Sequence, residues 1–231
     1  MHPVTVILHD GTSVMVPVPG SIEGAAPTTG DRLYNSRSVA AVIAFVLAYL
    51  IGSIDFGVIV PRAMGIDIYE HGSGNPGTSN VFRTIGKRAA AVVLVGDLLK
   101  GVAAAALGAL WLGEVAGFAC GFAAVLGHVF PVWHRFRGGR GVATAIGAAL
   151  WLAPLFGLVL AVGWGGVVAL TKTASVASIV AMLLYVPGFA VTGHRGASLW
   201  WAAATAVLVL ARHASNIRRI VLRQERTVSQ S

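Results

Sequence analysis

The sequence predicts an all-α integral membrane protein: seven transmembrane helices, Gly-rich loops on the cytoplasmic face, the amino terminus outside and the carboxyl terminus cytoplasmic. Three observations carry this expectation. The 231-residue chain is 56% hydrophobic and only 11% charged, whereas about a quarter of a soluble domain is charged. Apolar runs of bilayer-crossing length recur along it. When those runs are threaded alternately through a membrane, the positive residues gather on one side.

The elements follow in order. Residues 1–37 form an N-terminal extension of different composition. Val4–Leu8 and Ser13–Val18 flank Asp10-Gly11 as a short hairpin, and residues 19–37 read as a Gly, Pro, Ser and Thr-rich linker. The extension lacks the basic-then-apolar pattern of a secretory signal. Residues 38–231 form one membrane domain with a basic tail. Ser38–Val60 is the first span, ended by Pro61-Arg62. Ala89–Leu112 is the second and holds Asp97 and Lys100, which share a helix face at i, i+3. Gly113-Glu114 turns the chain into Val115–Trp133. Val142–Leu152 is a short span broken by Pro154, followed by Leu155–Leu170, the polar turn Thr171-Lys172-Thr173, and Ala174–Val191, where Ser175 and Ser178 share a face. Ala197–Ala211 is the seventh span. It runs into Arg212-His213 and onward without a Gly or Pro break, as a helix leaving the bilayer for a basic interface.

The threading puts Arg62, Arg83, Lys87, Arg88, Arg135, Arg137, Arg140, Lys172 and the arginines from Arg212 onward on one face. Only Arg32, Arg37 and Arg195 fall on the other. The formal charge of +8 is thereby accounted for without nucleic acid, by the positive-inside rule. Cys120, the one cysteine, lies in an apolar run and reads as a small buried hydrophobe. No His, Cys and carboxylate spacing suits a metal, so no cofactor and no metal are expected.

The stretch between the first two spans is the most informative. Gly72 to Asn80 packs three glycines, a proline, two asparagines and three hydroxyls into nine residues, and Arg83 follows. Gly-rich turns let backbone N–H groups converge on an anion, and arginine adds a planar fork suited to phosphate. The reading is an oxyanion cradle; its alternative is a tight re-entrant turn with no ligand. Gly72-x-Gly74-x-x-Gly77 mimics a dinucleotide fingerprint, but no strand precedes it. A P-loop is excluded because Thr78 stands where the phosphate-gripping lysine belongs.

A second Gly-rich loop, Phe136-Arg137-Gly138-Gly139-Arg140-Gly141, falls on the same face, as do His213 and Asn216. Arginines and N–H nests favour two or more phosphates, and a histidine can move a proton. Acyl or phosphoryl transfer between a soluble phosphate ester and a lipid fits such a bowl. The rival is a transporter of a small organic phosphate or anion, although no internal repeat accompanies the loops. Asp97–Lys100 is either a structural ion pair or part of the site. His128 reads as a structural hydrogen-bonder, and the tail arginines as contacts for anionic lipid heads.

Five blocks in order, Gly72-Ser-Gly-Asn-Pro-Gly-Thr-Ser-Asn-Val-Phe-Arg83, Asp97-Leu-Leu-Lys100-Gly101, Gly127-His-Val-Phe-Pro131, Phe136-Arg-Gly-Gly-Arg-Gly-Val-Ala-Thr144 and His213-x-x-Asn-Ile-x-Arg219, together resemble the bacterial acyl-phosphate:glycerol-3-phosphate acyltransferase family (PlsY). The resemblance covers residues from about 45 to 225. It implies a seven-helix enzyme of the bacterial inner membrane whose site faces the cytoplasm. Such an enzyme moves a fatty acyl group from acyl phosphate to the 1-hydroxyl of glycerol 3-phosphate, the first acylation of phospholipid synthesis, giving lysophosphatidate and phosphate. Its partners are acyl phosphate, glycerol 3-phosphate and membrane lipids. Carried over by position, Ser73 and His213 are the expected catalytic residues. Gly74, Asn75, Gly77, Thr78, Ser79, Asn80, Arg83, Lys100, Arg140 and Asn216 are the expected substrate-binding residues. The proton acceptor is either His213 or a phosphate oxygen of the substrate.

The chain departs from that pattern in places. Arg137 and Arg140 stand where lysines are usual, Asp55 where a proline is usual, Thr78-Ser79 for Ala-Thr, Ala174 for a tyrosine and Arg223 for a glycine.

Overall fold

The computed structural model describes residues 4–7, 11–16 and 29–228. The chain divides into two compact units, Met1–Ser38 and Val39–Ser231. In the first, β1 (Val4–Ile7) and β2 (Ser13–Val16) pair antiparallel, with Val4 opposite Val16 and Ile7 opposite Ser13. Asp10 of the expected turn, residues 17–18 of the expected second strand and residues 19–28 of the expected linker lie outside the described residues.

From Thr29 the chain is helical. Helix α1 (Thr29–Gly52) begins well ahead of Ser38, inside the stretch read as linker. The apolar segment nucleates it, and extension backward is cheap once a turn exists; no proline intervenes between Pro27 and Pro61. A second difference is that the first span is not one helix. It stops at Gly52 and resumes as α2 (Phe56–Ala63), with Pro61 and Arg62 inside α2 rather than beyond it. Two weak helix formers, Gly52 and Ser53, sit at the break, and Ser53 Oγ donates to the Tyr49 carbonyl at 2.9 Å. A break inside a membrane frees backbone groups that must be satisfied by protein. Lys100 does this from the neighbouring span, donating to the Ile54 carbonyl at 2.8 Å. Asp55 beside it is fully buried, and neither carboxylate oxygen has a hydrogen-bond partner.

The rest of the body is α3 (Thr78–Thr84), α4 (Lys87–Leu112), α5 (Glu114–Val129), α6 (Val142–Leu152), α7 (Pro154–Thr171), α8 (Ala174–Val191), α9 (Ala197–Arg212) and α10 (Ala214–Val221). Among the described residues five segments are long and apolar enough to cross a bilayer: Ser36–Ala63, Lys87–Leu112, Glu114–His134, Pro154–Thr171 and Ala174–Val191. The apolar helices α6 and α9 are shorter. This is an integral, multi-pass architecture. The expected uninterrupted helix from Ala197 into the basic tail is instead two, because the chain bends at His213 between α9 and α10.

Lipid tails are as apolar as leucine, so helices in a bilayer associate through close packing of small residues. A Cβ at Gly101 would run into the Thr144 carbonyl, and one at Gly147 into the Leu98 carbonyl; α4 and α6 therefore touch backbone to backbone. A larger core gathers Phe118, Tyr185, Phe189 and Val209 from α5, α8 and α9, with the Tyr185 hydroxyl donating to the Ala145 carbonyl of α6 at 2.9 Å. Ala44, Ala48, Ala104, Cys120, Ala123 and Ala124 make a second core between α1, α4 and α5. Val58, Ile68, Val81, Ala89, Ala90 and Val93 make a third, beneath the Gly-rich stretch.

Candidate active site

The Gly-rich stretch folds around one asparagine. Asp67 caps the short turn Ile68–Glu70, accepting from the Tyr69 N–H at 3.0 Å. Gly72 and Gly74 then take φ of +60° and +69°, a left-handed region that glycine enters without a Cβ penalty. The Asn80 side chain staples the resulting loop to the start of α3. Its Oδ1 accepts from the Ser73 N–H at 2.9 Å and its Nδ2 donates to the His71 carbonyl at 2.9 Å. Asn80 therefore spends its amide on the cradle's own shape.

The second Gly-rich loop is seated on His128. Gly139 N–H donates to the His128 carbonyl at 3.1 Å and Gly138 N–H to the Val129 carbonyl at 3.2 Å. No side chain fits there: a Cβ at Gly139 would strike the His128 ring, and one at Gly138 its carbonyl. Tyr69 ties this loop to the first. Its hydroxyl donates to the Arg137 carbonyl at 2.5 Å, and the Arg137 guanidinium lies 4.8 Å from its ring centroid.

The third contributor is the bend between α9 and α10. His213 is 2% exposed, and its Nδ1 lies 2.8 Å from the Val209 carbonyl. A carbonyl can only accept, so Nδ1 carries the proton and Nε2 keeps a lone pair in the neutral ring. Past α10 the chain folds back. Glu225 accepts from Asn216 Nδ2 at 2.7 Å and from Arg219 Nε at 2.9 Å. The Val228 N–H donates to the Lys172 carbonyl at 2.7 Å, tying this segment to the α7–α8 turn.

These three regions enclose one cavity of about 170 Å³. Of the residues expected from the sequence, Ser73, Asn75, Gly77, Thr78, Ser79, Asn80, Arg83, Arg140 and His213 line it. Gly74, Lys100 and Asn216 do not. Gly74 shapes the loop from behind, its N–H donating to the His71 carbonyl at 3.0 Å. Asn216 is turned to Glu225. Lys100, 4% exposed, is held 2.8 Å from Asp97 Oδ1 and by the Ile54 carbonyl. Asp97 lines the cavity from below, and His128 Nδ1 stands 3.5 Å from its carboxylate.

Sequence reasoning missed the cavity roles of Glu225, Trp164 and Ser178, and placed Arg219 and Arg226 at lipid heads, whereas both line the cavity. One signal was available. Glu225 is the only carboxylate in the sequence after Glu114, set among arginines.

The electrostatics are those of a bowl short of negative charge. Arg83, Arg140, Arg219 and Arg226 line it, with Glu225 as their counter-ion. Burial, with the neighbouring arginines adding to it, pulls Arg140 down to about 10. Burial and then Arg226 lower Arg83 as well. Burial pushes His213 down to about 4, with Arg140 and Arg212 pressing the same way against the pull of the Val209 carbonyl and Glu225. A bound anion would raise all three by charge attraction.

A second opening adjoins the bowl. An apolar groove of about 570 Å³ runs between α7 and α8, from Val167 and Ala177 to Leu155 and Val191.

Comparison with known proteins identifies the relatives of this chain. A model of the glycerol-3-phosphate acyltransferase family matches residues 42–223. The chain is 44% identical to the glycerol-3-phosphate acyltransferase of Sinorhizobium medicae (strain WSM419) over 177 residues, covering 76% of this chain and 86% of that one. It is 42% identical to that of Bacillus subtilis (strain 168), covering 78% and 93%. The crystal structure of PlsY, an integral membrane glycerol 3-phosphate acyltransferase, in its glycerol 3-phosphate form superposes with a TM-score of 0.78 at 34% identity, covering 81% of this chain and 94% of that one. Its lysophosphatidic acid form gives 0.76. By sequence and by fold alike, this chain belongs to the glycerol-3-phosphate acyltransferase family.

Proposed function

We propose that this protein transfers a fatty acyl group from acyl phosphate to the 1-hydroxyl of glycerol 3-phosphate, giving lysophosphatidate and phosphate. The observation that carries the reading is one arginine-lined bowl, built from three distant chain segments, beside an apolar groove. Two phosphates and one alkyl chain are the cargo such a pair of compartments suits. Solved relatives with glycerol 3-phosphate and with lysophosphatidic acid support the acceptor and the product.

Acyl phosphate is a mixed anhydride and needs no enzyme nucleophile. The 1-hydroxyl oxygen attacks the acyl carbon, the carbonyl becomes an oxyanion, and the C–O bond to phosphate breaks. The hydroxyl proton finally resides on the departing phosphate. The protein's contribution is to hold two mutually repelling anions together and aim the hydroxyl, and to stabilise the oxyanion and leaving group with Arg83, Arg140 and the cradle's hydroxyls and N–H groups. His213 Nε2 is the protein group available to take the proton in passing, since two bound anions raise its basicity. Ser73, Asn75, Thr78 and Ser79 orient the phosphates. Asn216 acts through Glu225, and Lys100 through Asp97.

In this reading α6 and α9 join the five longer segments as spans, for seven crossings. Residues 38–231 are the enzyme, residues 1–37 an accessory extension, and the bowl opens to the cytoplasm of a bacterial inner membrane, where basic residues concentrate. The test is purified protein in vesicles given both substrates. Lysophosphatidate and phosphate should form in equal amounts. No turnover together with counterflow of glycerol 3-phosphate would replace the enzyme with a transporter.

A further inference from the structure

We propose that Trp164, held by Ser178, positions the acyl donor at the seam between the bowl and the groove. Trp164 lines both compartments. It stands on α7 and reaches across to α8, its indole Nε1 donating to Ser178 Oγ at 3.1 Å. The Ser178 hydroxyl in turn donates to the Ala174 carbonyl at 2.8 Å. That fixes its hydrogen, leaves a lone pair facing the indole, and orients the ring. Ser178 is 5% exposed, so the bond is shielded from water.

The chemistry of the donor explains why the seam needs a fixed side chain. Acyl phosphate carries a charged head and a long alkyl tail. Apart from Thr192 and Trp164, the groove has no side chain able to hydrogen-bond, so the head cannot enter it. The tail gains nothing among the arginines of the bowl. The acyl carbonyl must therefore stop between the two compartments, where an indole offers an apolar face to the chain and a tethered N–H edge. A carbonyl carbon misplaced by about 1 Å loses on the order of 100-fold in rate.

This inference rests on the acyl-transfer reading above, and the experiment separates the two. Ser178→Ala removes the hydrogen bond with little change in volume, and Trp164→Phe removes it together with part of the ring. With protein in vesicles, each should lower kcat for transfer about tenfold, the worth of one buried hydrogen bond. KM for glycerol 3-phosphate should stay unchanged. Each should also raise hydrolysis of acyl phosphate without acceptor, in which a water oxygen joins the acyl carbon, the bond to phosphate breaks, and fatty acid and phosphate result. The double variant should be no worse than either single one, because both delete the same bond. A merely structural role would not shift the ratio of hydrolysis to transfer. Gly163→Phe tests the foundation. A Cβ at Gly163 meets open space, so a ring there occupies the groove without displacing protein, and KM for acyl phosphate should rise with KM for glycerol 3-phosphate unchanged. If Gly163→Phe impairs donor use while the other variants keep the wild-type hydrolysis-to-transfer ratio, the role of Trp164 is overturned and the groove stands. If Gly163→Phe is silent, the groove does not hold the acyl chain and both fall.

Discussion

Two charged regions lie close together in this molecule and behave as opposites. Below, Asp97 and Lys100 meet at 2.8 Å with His128 beside them, all nearly inaccessible to water. Above, Arg83, Arg140, Arg219 and Arg226 line an open cavity with Glu225 among them and Asp97, already paired with Lys100, at its floor. The lower group answers Asp97 and Lys100 with each other and with the Ile54 carbonyl, while Asp55 beside it keeps a buried carboxylate with no hydrogen-bond partner. The upper group leaves cations over. Burial of charge alone does not mark a binding site; an excess of one sign around an open cavity does. A closed pair fixes the backbone, and an unbalanced bowl awaits something from outside.

That contrast can be broken experimentally. The largest effect should come from Lys100→Ala, which strands Asp97 in the interior. Loss of one partner of a buried pair costs about 3–5 kcal/mol, read as a fall in thermal midpoint in detergent, and Lys100→Met with Asp97→Asn should recover most of it. If single and double variants fall equally, the pair is not self-contained. Next is Arg140→Ala. A charge-assisted hydrogen bond is worth about 1.5–3 kcal/mol, so KM for glycerol 3-phosphate should rise about 10- to 150-fold with the melting curve nearly unmoved. An unchanged KM would take Arg140 out of the bowl's work. Glu225→Gln sharpens the comparison from the anionic side. It keeps the shape but leaves one acceptor oxygen where Asn216 and Arg219 each use one, so glycerol 3-phosphate binding should weaken several-fold by calorimetry, within the range of about 0.5–1.5 kcal/mol for one hydrogen bond.

A different effect is on protons. His213 titrates near 4 when folded and near 6.5 when unfolded. As pH falls from 6.5 towards 4 the unfolded chain takes up the proton first, so the native state loses stability across that window and keeps the full contribution above it. NMR should show a neutral His213 ring at pH 6 in the substrate-free protein. His213→Gln should flatten the stability profile between those two values.

Much of this was legible in the residues alone. Apolar length and the distribution of arginines predicted a multi-pass membrane body. The spacing of Asp97 and Lys100 predicted their pairing, which is local and follows from helix geometry. What escaped was non-local. The break at Ser53–Asp55 depends on a lysine from another helix reaching Ile54, and no periodicity in α1 records that. The shaping work of Gly74 and Asn80 escaped for a similar reason: their hydrogen bonds hold the loop, and composition cannot tell a wall from its buttress. Trp164 escaped because six tryptophans in an apolar chain read first as interface anchors, and only the partner across the gap distinguishes one.

The return of the chain at Glu225 has a consequence for biogenesis. Every apolar helix is already made when synthesis reaches Arg212, yet Arg219, Glu225 and Arg226 have still to arrive. A chain that stopped just after α9 would hold every described apolar helix and lack the part of the cavity lining that Arg219, Glu225 and Arg226 supply. Insertion and competence are thus separate events. The cell is spared a half-finished catalyst loose among its lipids.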